Sequence, residues 1–358
     1  MSSNLKLPSL PHSDPVRGGN LYRLAIVGAG TLKGKEIAEV LADRNFPSLD
    51  IKLLDDDESL GKLEAMKDEV TFIQSVRPEH FDKIDFTFFA SDRESTRKTW
   101  KTARKAGSSI VDLSYALEDD PEVAVRSPWV ERQLGIGPTL ELQPQPAVVA
   151  HPASVALALL FLRMEKAGPL RKVSATVLQP ASEHGQKGMD ELHEQTVNLL
   201  SFQPLPKNVF DTQVAFNVVN QYGKHSDPPM ASLERRILNH FQRITGKHGG
   251  LSLLLLQAPI FHGHVFALHV EMGGSVDLAQ ISQAIAGDHI KVTQPEDEAP
   301  NNVSAAGQGD ILVSVLPDPR DASSLWVWAA SDNLRISASN AVECAEAMAA
   351  SRPRGKIQ

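Results

Sequence analysis

Leu21-Tyr22-Arg23-Leu24-Ala25-Ile26-Val27-Gly28-Ala29-Gly30-Thr31-Leu32-Lys33-Gly34 decides how this chain folds. A short apolar run that ends in a glycine cluster reads as a buried parallel strand and its turn. A helical pattern follows as far as Arg44, with Ile37, Val40 and Leu41 on one face. Glycine lets the backbone come close to a diphosphate, and a helix N-terminus offers unpaired N–H groups and a favourable dipole. The spacing departs from a strict G-x-G-x-x-G, because Lys33 stands where the third glycine belongs and Gly34 comes one residue later. Gly28, Thr31, Leu32 and Gly34 are the candidate cofactor contacts of this turn.

Working outward, Ile51 to Leu54 is a second apolar strand that ends in Asp55, Asp56 and Asp57. A carboxylate there accepts hydrogen bonds from ribose hydroxyls, which selects NAD, and repels the 2′-phosphate of NADP. No arginine lies in the immediate run Asp55 to Leu60; a solvated acidic loop is the competing reading. Phe86 to Ala90 and Ser108 to Leu113 look like further strands, with the basic helix Thr96 to Lys105 between them. Strand, helix and strand in this order predict an α/β fold with an N-terminal Rossmann-type, doubly wound parallel sheet. Gln143-Pro144-Gln145-Pro146 precedes one more strand-like run, Ala147 to Ala150.

Beyond it the character changes. Pro152 to Met164 predicts a long apolar helix opened by a proline. Strands are expected at Val173–Leu178, Leu251–Leu256, His264–Glu271, Ile311–Leu316 and Leu325–Ala330, and helices at Gly188–Ser201, Leu233–Ile244, Val276–Ala286 and Ser339–Ala350. The acidic, Pro/Asn/Gly-rich stretch Gln294 to Gln308 reads as a mobile loop. The expected organisation is a flexible arm at 1–20, a dinucleotide-binding domain at 21–150, a largely antiparallel α+β domain for substrate and dimerisation at 151–331, and a closing helix at 332–358 that returns to the first domain.

Composition sets the outer bounds. A chain of 358 residues exceeds one compact core, so two domains are expected. The net charge of −8 leaves no basic footprint, which argues against nucleic acid and acidic membranes as partners. Apolar runs such as Val155 to Leu162 are too short to span a bilayer. Met1 to Asn20 is polar, carries Pro8, Pro11 and Pro15, and lacks the apolar core of a signal peptide. The single cysteine, Cys344, excludes an intrachain disulfide and fits a reducing cytoplasm; among alanines it reads as a small buried hydrophobe.

Several ordered motifs resemble the aspartate-semialdehyde dehydrogenase family. Asp43-Arg44-Asn45-Phe46-Pro47 is similar to its E-R-N-F-P, Ile110 to Ala116 to its V-I-D-x-S-S-A, and Ala150-His151-Pro152-Ala153-Ser154 to its A-N-P-N-C. Gly188-Met189-Asp190-Glu191-Leu192 with Glu194-Gln195-Thr196 resembles M-D-E-L-x-x-Q-T, and Val214 to Val219 its I-A-F-N-V-I strand. Asp332-Asn333-Leu334-Arg335 with Asn340-Ala341-Val342 resembles the closing D-N-L-R…N-A-V. The resemblance covers almost the whole chain. It implies the family's two-domain fold, a homodimer formed through the second domain's sheet, NAD or NADP as cofactor, Ser91 and Asn333 as further cofactor contacts, and a small acid or aldehyde as ligand.

The family reductively dephosphorylates aspartyl phosphate: a cysteine thiolate takes the acyl group as a thioester, and hydride reduces it. Carried over position by position, Gln179 falls on its active-site glutamine and His264 on its acid/base histidine. Arg236 takes the place of its phosphate-binding lysine. Leu233 occupies the position of its substrate-amine carboxylate, with Glu234 next door as substitute. The departures are Ser154 for the catalytic cysteine, Gln257 for the arginine that clamps the substrate carboxylate, and Glu118 for a phosphate-binding arginine. Thr31 replaces a glycine of the turn, and Glu58 an NADP-binding arginine.

A cysteine titrates near ~8.5 and supplies thiolate, whereas a serine needs a base in contact with it, here His264. The simpler reading of Ser154 is a first-turn serine that hydrogen-bonds nearby backbone. Gln257 cannot make a bidentate ionic contact. The expected protein is therefore a nucleotide-binding homologue that has lost the parent reaction, resembling the family's cysteine-less bacterial paralogues of Usg type. The alternatives are a dehydrogenase for another aldehyde, a Ser154/His264 hydrolase, or a binding module without nucleotide. His262 and His264, two apart on an expected strand, face one side and with His151 or His184 suggest zinc; the simpler reading has no metal. His80, His193 and His225 read as surface residues.

Overall fold

The computed structural model describes residues 21–55, 61, 63–66, 69–137, 144–294 and 296–352. The arm at 1–20, Asp56 to Glu58 and Gln143 lie outside the described residues. The first half runs β1 (Tyr22–Val27), α1 (Leu32–Asp43), β2 (Ser48–Asp55), β3 (Leu63–Met66), β4 (Glu69–Phe72), β5 (Gln74–Ser75), β6 (Phe86–Phe89), α2 (Arg93–Lys105), β7 (Ser109–Asp112), β8 (Ala124–Arg126), α3 (Pro128–Gln133) and β9 (Ala147–Val149). Seven of these strands form a parallel sheet in the order β5-β2-β1-β6-β7-β9-β8, while β3 and β4 pair as a separate hairpin. Leu24 to Val27 and Phe86 to Phe89 are fully buried, as strands covered on both faces must be. Strand order reverses between β1 and β6, and the crevice outside their carboxyl ends is where such folds bind ligands. The turn Gly28 to Thr31 lies at that point.

The second half runs α4 (Pro152–Ala167), β10 (Leu170–Gln179), α5 (Gly185–Leu200), α6 (Met230–Thr245), β11 (Leu251–Gln257), β12 (His264–Met272), α7 (Leu278–Ile285), β13 (Ile290–Val292), α8 (Asn302–Ala305), β14 (Ile311–Pro317), β15 (Ser324–Ser331) and α9 (Asn333–Ser351). Its sheet has the order β11-β10-β12-β15-β14-β13, antiparallel in the middle and parallel at both edge pairs. Helix α4 is buried nearly all round, from Pro152 to Met164, and joins the two halves. Helix α9 opens at Asn333, earlier than the expected Ser339, because Asp332 caps it by accepting from Leu334 N and Arg335 N. It packs Ala338, Ala341, Val342 and Ala345 against Ile26, Ile37, Val40 and Leu41 of the first domain. Arg335 ties it to Glu36 and Asp43 of α1.

Three expectations are corrected. Val214 to Val219 is not a strand: Gln195 Oε1 takes the N–H groups of Val214 (2.8 Å) and Ala215 (3.2 Å), and Phe216 has φ +55°. Only Val219 bridges a strand, at Gln257. His262 precedes β12, so it does not share a strand face with His264. Within Gln294 to Gln308, the short α8 is closed by a capping box from Asn301, so this stretch is no structureless loop.

Candidate active-site cleft

The glycine turn is shaped by the protein's own backbone. Gly28 has φ +86°, and a Cβ there would lie 2.3 Å from Ser91 N. A Cβ on Gly34 would lie 2.1 Å from Gly28 O, so Gly34, not residue 33, lets α1 pack against the turn. Thr31 caps α1: its Oγ1 accepts from Gly34 N (3.0 Å) and donates to Gly28 O (2.8 Å). Asp55 Oδ2 accepts from Gly30 N at 2.6 Å. Ser91 Oγ meets Thr96 Oγ1 at 3.1 Å. Among the described residues, the N–H groups of Leu32 and Lys33 have no partner. Two open amides at a helix N-terminus suit a diphosphate, so this half of the crevice fits a dinucleotide.

The other half holds side chains. Lys33 reaches across the sheet to donate to Leu113 O (3.0 Å), and its Nζ lies 4.4 Å from the centre of the Tyr115 ring. Burial lowers the Lys33 pKa. Asp112 turns the chain there, accepting from Ser114 N, Ser114 Oγ and Leu117 N, and Tyr115 takes φ +61°. Arg236 lies over the same ring at 4.8 Å, and His151 stacks on it at 5.7 Å.

Ser154 is fully buried in the first turn of α4, and its Oγ donates to Ile237 O of α6 at 2.8 Å. His264 lies at the start of β12, wholly buried, and neither ring nitrogen has a hydrogen-bond partner among the described residues. Burial lowers its pKa to about 4. Its nearest charge is Glu183, with Nε2 to Oε1 at 3.7 Å. Glu183 also lies 3.3 Å from His151 Nε2 and accepts from Asn333 Nδ2 at 2.9 Å. Burial works to raise the Glu183 carboxyl, but His151, His264 and Lys33 hold it well below the usual range. Asn333 Oδ1 in turn accepts from Ser182 Oγ and Gly263 N.

Gln179 and Gln257 share a neutral network. Tyr222 OH donates to Gln257 Oε1 (2.7 Å) and accepts from Gln179 Nε2 (3.1 Å), and His184 Nε2 stands 2.9 Å from the same hydroxyl. Gln257 Nε2 donates to Gln179 O and Ala258 O. Arg236 closes a bidentate pair on Glu118, Nε to Oε2 at 2.7 Å and Nη2 to Oε1 at 3.0 Å. Glu234 sits on another face of α6 and accepts from Leu255 N at 3.2 Å. No three His, Cys, Asp or Glu groups among the described residues are arranged to hold a metal ion.

Sequence reading missed Glu183, His240 and Tyr222. His240 carried a signal: on α6 it shares the buried face with Leu233, Arg236, Ile237, Phe241 and Ile244. A polar residue at an apolar-face position marks a buried partner. Glu183, in a turn after β10, offered no such periodicity.

Residues 23–134 match the semialdehyde dehydrogenase NAD binding domain, and residues 162–336 match the semialdehyde dehydrogenase dimerisation domain. A USG-1 protein homolog of Azotobacter vinelandii is 33% identical over 90% of this chain and 96% of its own length. An aspartate-semialdehyde dehydrogenase of Rickettsia bellii is 28% identical over 91% of this chain and 97% of its own. The solved structure of a probable aspartate-semialdehyde dehydrogenase from Pseudomonas aeruginosa superposes with a TM-score of 0.81 at 29% identity, covering 91% of this chain and 98% of that one.

Proposed function

The chain belongs to the semialdehyde dehydrogenase family, and from that membership we propose that it binds a nicotinamide dinucleotide but no longer performs the parent reductive dephosphorylation. The observation that carries this reading is the Ser154 hydroxyl, whose proton is engaged by Ile237 O. A serine becomes a nucleophile when a base takes that proton, and His264 makes no hydrogen bond to it among the described residues. The same geometry disfavours a Ser154/His264 hydrolase.

The substrate side supports it. Gln257 is spent on Tyr222 and on two carbonyls, so no cation stands where the family clamps a carboxylate. Glu118 brings negative charge to the position of a phosphate-binding arginine. When bound, the nicotinamide would supply a hydride; the chain's part is to hold the diphosphate on the Leu32 and Lys33 amides, with Asp55 favouring NAD over NADP. We further propose a homodimer in which a second copy covers the outer sheet face carrying Leu254, Leu316 and Trp326, all exposed in the single chain. The lone, buried Cys344 suits a cytoplasmic setting.

Steady-state assay with aspartate semialdehyde, phosphate and either nucleotide tests the lost reaction. The wild-type chain should give no turnover above background, and so should Ser154→Cys, because Glu118 and Gln257 remain. Turnover by either protein would overturn the reading. Calorimetry should show NAD binding more tightly than NADP; heat from neither would remove the nucleotide.

A further inference from the structure

The carboxylate of Glu118 is gripped by two arginines and faced by a histidine. Arg236 grips both oxygens, Arg93 Nη2 donates to Oε1 at 3.0 Å, and His240 Nε2 stands 3.3 Å from Oε2. Arg243 fixes the backbone by donating to Glu118 O at 2.6 Å and to Val123 O at 3.2 Å. Arg236 and His240 are buried. His151 N donates to His240 Nδ1, so in the neutral ring Nε2 carries the proton and faces Glu118 as a donor. Even so, Arg93 Nε and His240 Nε2 are buried without a hydrogen-bond partner among the described residues. Two guanidiniums answer one negative charge, and the buried Arg93 Nε remains over. A planar fork, a second guanidinium and an imidazole N–H converging on one point is the donor set that an oxyanion with three or four oxygens takes up.

We propose that Glu118 is a resident anion: its side chain fills an oxyanion site built by Arg236, Arg93 and His240, and so closes this end of the cleft, away from the glycine turn, to a ligand's phosphate group. The identity of the cleft rests on the family reading above; the anion site stands on its own donors. Removing the carboxylate leaves paired cations with no anion, and inorganic phosphate should then enter.

The probe is inorganic phosphate, without nucleotide, titrated calorimetrically and followed by thermal unfolding. Wild type should show no heat up to about 20 mM, and no rise in Tm beyond that given by chloride at equal ionic strength. Glu118→Ala should bind phosphate at least about tenfold more tightly and regain Tm as phosphate is added. Arg236→Met in the Glu118→Ala background should lose that gain. Should Glu118→Ala fail to fold without phosphate, recovery of the folded state in phosphate supports the site. Glu118→Ser, which also empties the site, should then gain phosphate affinity as well, whereas Glu118→Gln, which keeps the volume, should gain less. Equal affinity in wild type and Glu118→Ala, or no phosphate effect on Glu118→Ala or Glu118→Ser, overturns it. Turnover of the parent substrates by wild type would instead sink the lost-reaction reading and leave these binding results untouched.

Discussion

The two ends of the cleft answer the same question in opposite ways. At the glycine turn, backbone packs on backbone, and two amides are without a partner among the described residues. At the end that the proposed reading assigns to the reaction, the side chains are satisfied by the protein: Ser154 by Ile237 O, Glu118 by Arg236 and Arg93, Gln257 by Tyr222. The difference separates residues that organise the backbone from residues whose side chains only pair with a neighbour. Glu191 belongs to the first kind, accepting from Asn208, Val209 and Phe210 N–H; so does Gln195, which holds Val214 and Ala215.

Acid should break the reaction end first and most strongly. His184, His240 and His264 each have a pKa lowered to about 4, with burial the leading cause, and none of them lies at the glycine turn. Their unfolded values lie near ~6.5. Between those limits the unfolded chain binds more protons, so stability is greatest above ~6.5 and falls as pH drops toward 4. The loss is about 2 kcal/mol per histidine by pH 5. Glu118, held at about 2 against the pull of burial, adds a later loss as pH falls from its unfolded value near ~4.3 toward 2. Urea unfolding at pH 7 and pH 5 measures the first step, which His264→Gln should reduce by about a third. A pH-independent midpoint would contradict the burial of these rings.

At the other end, Gly34→Ala should cost about 3 kcal/mol or more, since its Cβ would meet Gly28 O at 2.1 Å and backbone cannot step aside cheaply. Nucleotide binding should go with it. An unaltered urea midpoint would mean that the spacing of this turn serves the ligand alone.

How much of this was legible from sequence follows the same division. The strands with no exposed face, Leu24 to Val27 and Phe86 to Phe89, announced themselves as apolar runs, and Gly28 and Gly34 marked the turn. Strands of two to four residues such as β5 and β8 have too few side chains to show a period. Val214 to Val219 resembles the family's strand, yet the N–H groups of Val214 and Ala215 are claimed by Gln195, which is remote in sequence. Resemblance located Ser154, Gln257 and Glu118 but said nothing of their new partners, because partnership across 83 residues, as between Ser154 and Ile237, has no local pattern.

The smallest effect is the most telling about Ser154 as a structural group. Ser154→Ala should cost about 1 kcal/mol, the worth of one buried hydrogen bond and the carbonyl it leaves unpaired, measured by urea unfolding. A variant as stable as wild type would show that Ile237 O does not depend on this hydroxyl.

Whether Ser154 can be acylated at all is the sharpest test. Intact-mass and peptide mass spectrometry of the wild-type chain, after incubation with an acyl phosphate and then with NADH, reads this directly. The geometry predicts no adduct on Ser154; an acyl-Ser154 peptide that forms, and disappears on hydride donation, would contradict it.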